Sequence, residues 1–431
     1  PFFNPWTSLR QTYHSHLYNV LFDGVATYKV SPALTVTNNI GWNSLTSNEF
    51  GQFPISAQTP SPANAGASYF SHTRYTSFIL EPQAEFKKNL GLLHMALLAG
   101  YSFQNQTADM NALSAFGIAT DAQLMHPSSA ANLFPANDSM DYNYQAQFAR
   151  FNFNWDDRYI LNLTFRRDAS SRINSISQYE GFYAAGAAWV FSYERWIKEN
   201  LPVLSFGKLR ASYGTTGNDQ IGGGHTLSSW APNALINYVN KPGWAMRSLV
   251  APGLNWEKIA KAEGGLELGF LNDRFLLSAV WYCNRTSNQI LPDKDNIWRN
   301  FPVVLENKGW DLMLSAQLIH TKNISWNFSC NLSLPKDRLV SFPNLEQSNY
   351  KDMLIVGRSV NSSSSMYKYL GVDAKTGRYM FFDKNGDGNF DSSDYSVIGG
   401  PVVKAFGGFS SSFRYRNIQI EMLFDVRIAT G

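Results

Sequence analysis

The chain has 431 residues, and its 36 Lys and Arg against 33 Asp and Glu leave a net charge of +3, a balance that with no basic run gives nucleic acid no footing. Charged residues are 16%, below the roughly 25% usual in soluble domains, while aromatics reach 15%. Mean hydropathy is −0.25 and no apolar run approaches the ~18 residues of a membrane helix, which excludes a helical membrane protein but not a β-barrel.

In chain order, Leu17–Val30 reads as a strand that ends at a tight Ser31-Pro32 break. Leu34, Val36, Ile40 and Trp42 then alternate with Thr35, Thr37, Asn39 and Asn43, and an irregular Ser-, Gly- and Pro-rich stretch covers about 44–76. Phe78–Phe86, a Lys87–Asn89 turn and the alternating Leu93, Met95, Leu97, Ala99, Tyr101 and Phe103 come next, then a second irregular stretch over about 105–141. Tyr142–Phe153 is a strand with a phase slip near Ala149-Arg150, as a β-bulge produces. After the turn Asp156-Asp157-Arg158, Tyr159, Leu161, Leu163 and Phe165 alternate with Asn162, Thr164 and Arg166.

Phe182–Phe191 is the next strand, and a connector over about 192–205 leads to Gly207–Tyr213, where Lys208, Arg210 and Ser212 share a face. A loop over about 214–261 precedes Glu263–Leu271, the turn Asn272-Asp273 and Phe275–Cys283; another covers about 284–309. The clearest alternation follows. Trp310, Leu312, Leu314, Ala316 and Leu318 stand on one face, and after Thr321–Asn323 so do Ile324, Trp326, Phe328, Cys330, Leu332 and Leu334. Opposite them lie mainly Asp, Gln, Ser and Asn, so this is a hairpin with one apolar and one polar face, each arm near the 9–11 residues that cross a bilayer. A long segment over about 335–404 then precedes Phe409–Tyr415, an Arg416-Asn417 turn, and Ile418, Ile420, Met422 and Phe424.

Roughly fourteen strands result, with every second connection short and the others long, the asymmetry of up-and-down transmembrane barrels with short periplasmic turns and long external loops. A soluble sandwich also alternates but need not segregate its loops by length, and no propeller repeat occurs. Trp155, Tyr159, Trp310 and Trp326 lie near strand ends, where barrels gather aromatics at the water–lipid interfaces. Cys283 and Cys330 sit in separate strands without metal spacing and read as small apolar residues.

One local motif has the spacing of a cation site. Asp383, Asn385, Asp387 and Asp391 stand at positions 1, 3, 5 and 9 of a loop, with Gly388 at the sharp turn of position 6, Asn389 at position 7 and Asp394 at position 12. Oxygen donors so spaced can converge on a hard cation, Ca²⁺ above all, and the shorter Asp394 stands where Glu is usual. The flanks Tyr379–Phe382 and Tyr395–Ile398 look extended, so this is a calcium-type loop outside a helical setting; the competing reading is a solvated Asp/Asn/Gly turn. The seven histidines are scattered, and no zinc motif, nucleophile elbow or P-loop occurs, so the chain does not read as an enzyme. Gly222–Gly224 reads as a flexible loop, and the Trp-, Tyr- and Asn-rich stretch Trp230–Trp244 as either a sugar- or peptide-gripping loop or a packed lid.

The run Asp157-Arg158-Tyr159-Ile-Leu-Asn-Leu-Thr-Phe-Arg166-Arg167-Asp168-Ala-Ser-Ser171-Arg172 resembles the SusC/RagA family of TonB-linked outer-membrane transporters. Gly186–Trp189, Leu209–Asn218 and Asp383–Gly408, with Ile398-Gly399-Gly400-Pro401, do so as well. The resemblance covers most of Tyr142–Phe424 and before that rests mainly on strand pattern. It implies a barrel of about twenty-two strands with an N-terminal plug, opened by TonB, capped by a SusD-like surface lipoprotein and importing oligosaccharides or oligopeptides. The chain departs from it in extent, with no plug and no TonB-interacting segment in view. Residues 1–431 are therefore expected to be part of one transmembrane antiparallel up-and-down β-barrel domain in outer-membrane lipid, plug absent. Residues 335–404 are expected to be its long external loop region carrying the calcium-type loop. The alternative is a secreted soluble β-rich glycan-binding protein with a calcium-stabilised loop.

Overall fold

The computed structural model describes all residues except 1–4, 59, 60, 62, 174–177, 220–228, 239, 240, 252, 296, 392, 393, 400, 401 and 431. In chain order the strands are β1 (Thr12–Lys29), β2 (Leu34–Phe53), β3 (Gly66–Leu90), β4 (Leu93–Ile118), β5 (Asn132–Trp155), β6 (Tyr159–Ser170) and β7 (Tyr179–Trp189). After helix α1 (Arg195–Asn200) come β8 (Leu204–Asn218), β9 (Ser229–Tyr238), β10 (Lys241–Val250), β11 (Glu257–Phe270), β12 (Phe275–Pro292), β13 (Ile297–His320) and β14 (Ile324–Ser341). Four short strands follow, β15 (Ser363–Tyr367), β16 (Tyr369–Val372), β17 (Tyr379–Phe381) and β18 (Tyr395–Gly399), then β19 (Val402–Tyr415) and β20 (Ile418–Thr430). Among the described residues fourteen strands pair in chain order, β1–β8, β11–β14, β19 and β20; β9 and β10 form a hairpin off this path.

The expected hairpins are present, and several strands run much further than their apolar alternation. β4 continues to Ile118, β12 to Pro292, and β13 begins at Ile297, so the stretch expected as a loop over about 284–309 is mostly paired strand. Only a run that faces an apolar medium on one side must alternate. Beyond that run the backbone ladder persists without such a signature, and the apolar residues it buries, such as Ala115, Ile118, Ile290 and Val303, fall at irregular spacing. The Lys87–Asn89 turn is displaced as well: β3 extends through Leu90 and the chain reverses at Gly91, whose φ of 59° is cheap only for glycine. Asp156-Asp157 and Asn272-Asp273 turn as expected, with φ between 53° and 62°, because Asx side chains tolerate the left-handed region.

The chain separates into two compact units. The first comprises Pro1–Glu85, Ala99–Gln147 and Ala169–Ser171. Within it β1 and β2 pair continuously from Thr12↔Gln52 to Lys29↔Thr35, and the Ser31 Oγ accepts the Leu34 N–H (3.1 Å) in the turn. A small core of Ala115, Ile118 and Leu124 is fully buried; the Ser68 hydroxyl donates to the Leu124 carbonyl (2.6 Å), and the Asp121 carboxylate accepts the Ile55 N–H (2.6 Å).

The second unit comprises Phe86–Leu98, Phe148–Asp168 and Arg172–Gly431. Its sheet carries apolar rows that run straight across the strands. Leu277, Leu314, Cys330, Phe409 and Phe424 stand in one row, and Ala279, Leu312, Leu332, Gly407 and Val426 in the next. Both cysteines are free; Cys330 lies in the first of these rows, whereas Cys283 stands beside Lys308, beyond the apolar stretch.

Candidate functional site

The face opposite those rows is polar, again in register. Ser315, Ser329 and Ser410 form one row, in which the Ser329 and Ser410 hydroxyls share a hydrogen bond of 2.7 Å; Gln317, Asn327 and Ser412 form the next. With Asp273 and Arg274 these rows line a concavity of about 290 Å³. Asn331 pairs with Gly408 one row further on. The expected candidates Asn327, Ser329 and Asn331 thus belong to one continuous polar strip. Asn162, Thr164 and Arg166 occupy the matching face of β6. Asn152 donates to Asn162 (2.5 Å), while Arg166 donates from Nε to Asp168 (2.7 Å) and lies 5.5 Å from the centre of the Phe148 ring.

Charge on this face is concentrated between β8 and β11. Lys208 stands opposite Glu267 and Arg210 opposite Gly265. The Arg210 guanidinium donates from Nε to Glu267 (3.1 Å) and also binds Glu263, while Lys208 Nζ reaches Glu267 at 3.5 Å. A Cβ on Gly265 would come within 2.9 Å of Arg210 Nε, so that glycine makes the flat seat on which the guanidinium rests. Two cations and two carboxylates are matched, and all four stay partly exposed. The basic half was visible in the sequence as Lys208 and Arg210; the acidic half, Glu263 and Glu267, became a partner only through the register.

The Asp383–Asp394 loop closes on its own side chains. Asp383 accepts the N–H groups of Gly386 (2.6 Å) and Gly388 (2.8 Å), Asn385 Oδ1 that of Asp387 (3.1 Å), and Asp387 Oδ1 that of Asn389 (2.7 Å). Asp394 is fully buried and accepts from Lys384 N–H (2.9 Å) and Asp391 N–H (3.0 Å). The Asp391 amide, ahead of the opposing effect of burial, holds its carboxyl below the usual carboxylate range. Gly386 and Gly388 have φ of 75° and 79°, so the turn needs glycine at both. Both flanks are extended, as expected, in β17 and β18. Tyr367 meets Phe390 of the loop and Tyr395 edge to face and Phe381 at a tilt, with Tyr367 and Tyr395 centroids 4.8 Å apart, and Phe381 meets Phe390 edge to face.

The donors are all oxygen and suit a hard cation, and a carboxylate oxygen that accepts one amide keeps a second lone pair. Among the described residues no three His, Cys, Asp or Glu side chains are gathered as a metal-holding group. Gly222–Gly224 and Pro401 lie outside the described residues, as do the side chains of Trp230–Trp244.

A sheet that is apolar on one face, polar and charge-paired on the other, and turned by short reversals at one end matches a known family. Its profile, "TonB dependent receptor-like, beta-barrel", fits residues 2–418. The chain belongs to the TonB-dependent receptor β-barrel family. It is outer-membrane barrel wall, with the rows of Leu314 and Leu312 towards lipid and those of Ser329 and Asn331 towards the lumen.

TonB-dependent receptor P3 of Formosa agariphila is 24% identical over 97% of this chain and 44% of its own length. TonB-dependent receptor SusC of Bacteroides thetaiotaomicron is 28% identical over 63% of this chain and 30% of its own, which bears out the expected resemblance. The RagAB peptide importer in its open-open state superposes with a TM-score of 0.83 at 21% identity, over 98% of this chain and 48% of that one. The chain therefore spans less than half the length of each. Family membership displaces the soluble glycan-binding alternative and agrees with the reading that the chain is not an enzyme: the family consists of transporters.

Proposed function

We propose that this chain is the barrel wall of a TonB-driven importer that carries oligosaccharides or oligopeptides across the outer membrane with a SusD-like lipoprotein as its partner. The observation that carries this reading is the polar face, with its serine and asparagine rows and the Lys208, Arg210, Glu263, Glu267 group. Hydroxyl and amide groups there can exchange hydrogen bonds with a solvated, many-handled substrate, and the charge-neutral quartet adds no strong selection for either sign. Likeness to a peptide importer supports the oligopeptide class, and the oligosaccharide class rests on the resemblance to the SusC/RagA family alone. Uptake of labelled oligopeptides and oligosaccharides by cells carrying the intact receptor tests the proposal. Uptake of one class is expected, abolished by a protonophore or by loss of TonB; uptake that survives both treatments would contradict it.

A second proposal concerns the Asp383–Asp394 loop, which is read as a structural Ca²⁺ site with Asp383, Asn385, Asp387, Asn389, Asp391 and Asp394 as its donor set. Donor spacing and the two left-handed glycines support it. Calorimetric titration of the intact receptor with Ca²⁺ should release heat that Asp387→Ala loses. Identical traces for the two proteins would rule the site out.

A further inference from the structure

On the lipid-facing side of β12–β14 the register continues past the tryptophans. Moving away from the Thr321–Asn323 turn, the rung after Trp281, Trp310 and Leu334 holds Cys283, Lys308 and Lys336, and the next holds Arg285, Glu306 and Arg338. At about 3.4 Å per residue these rungs stand roughly 7 and 14 Å beyond the tryptophans, past the depth where an aromatic belt marks the end of hydrocarbon. The Glu306 side chain is only 1% exposed and accepts from Arg285 Nε (2.8 Å), Lys308 Nζ (3.1 Å) and Arg338 Nη2 (2.9 Å). Those three cations keep 58%, 37% and 39% of their side chains exposed, and Lys336 is exposed too.

One carboxylate cannot neutralise four cations, so a positive excess remains. It is also one-sided within β12–β14: the row on the opposite face at this height is Asn284, Asn307 and Asp337, which continues into β11 at Lys261, one cation against four. A cluster serving an anionic cargo in the lumen would stand on that opposite face. This one looks outward, directly above an apolar wall.

An anion that is acylated below and charged above fits both features at once, and the outer leaflet of an outer membrane is built from phosphorylated glycolipid. We propose that Arg285, Lys308, Lys336 and Arg338 bind the phosphate groups of that glycolipid, with Glu306 holding three of the four in place. The proposal rests on the barrel reading, which assigns this face to lipid.

Native mass spectrometry of the intact receptor in detergent, titrated with lipid A, tests it. The double variant Lys308→Gln/Lys336→Gln keeps the Arg285–Glu306–Arg338 triad. Lys322→Gln/Arg416→Gln removes the same charge at the opposite end of the sheet. Wild type and the turn variant should bind lipid A alike, and the wall variant about tenfold or more weakly. Lipid A stripped of phosphate should bind wild type as weakly as intact lipid A binds the wall variant. Equal affinity of wild type and wall variant, or indifference to the phosphates, would overturn the site. If the wall variant loses its heat-modifiable gel migration and so has not folded, wild-type binding at raised salt decides instead: weakening is expected, and no change overturns the proposal. A nitroxide at position 314 that proved shielded from lipid would instead defeat the barrel reading, so the two failures are distinct.

Discussion

At the scale of single residues, Glu306 carries the most specific consequence. It lies beyond the Trp310 rung, outside the membrane-crossing part of β13, among three cations. The Arg285 hydrogen bond first, with Lys308 and Arg338 adding to it against burial, lowers its pKa from 4.5 to about 2. Because the folded value lies below the unfolded one, its contribution is complete above pH 4.5 and is lost as pH falls from there towards 2. The stability gap between wild type and Glu306→Gln, measured by urea unfolding in vesicles, should therefore shrink as the pH drops through that window. A gap independent of pH would mean that the carboxylate is not held as described. Gly407 shows a different constraint: a Cβ there would run into the Asn331 carbonyl oxygen in the neighbouring strand. Gly407→Ala should cost about 1–3 kcal/mol through overpacking, read as a lower urea midpoint; an unchanged midpoint would show that β14 and β19 can separate at no cost.

At the scale of elements, the two faces of β13 and β14 should respond in opposite ways. Leu314 sits in the row of Leu277, Cys330, Phe409 and Phe424, four residues from Trp310, so Leu314→Arg should cost about 2–4 kcal/mol at mid-bilayer. Ser329→Arg, on the adjoining lumen row, should cost much less; equal penalties in vesicle unfolding would mean the faces are wrongly assigned. The same asymmetry explains what was legible in the sequence. Lipid imposes a period of two on Trp310–Leu318 and Ile324–Leu334, and those elements could be read directly with their turn. Nothing imposes it on Asn284–Pro292 or the upper part of β4, where the few buried apolar residues, Ile290 and the Ala115–Ile118 pair, pack locally without a period of two, and strand there passes for loop. Cross-strand partners were the other blind spot. Arg285 and Arg338 are 21 and 32 residues from Glu306, and only the register makes them neighbours. The Asp383–Asp394 spacing, by contrast, is local and was visible whole.

At the scale of the molecule, one face of this sheet meets lipid and the other a polar lumen, in an outer-membrane barrel of the TonB-dependent receptor family. The proposed import, lid partner and glycolipid contact all depend on that division. The most direct measurement is nitroxide scanning of the intact receptor in vesicles, one cysteine at a time from Asp311 to Gln317, in a background with Cys283 and Cys330 replaced by alanine. Labels at 312, 314 and 316 should be relaxed by lipid-soluble oxygen, and those at 311, 313, 315 and 317 by a water-soluble nickel chelate, with a period of two. Uniform accessibility along the strand, or the opposite phase, would contradict the account.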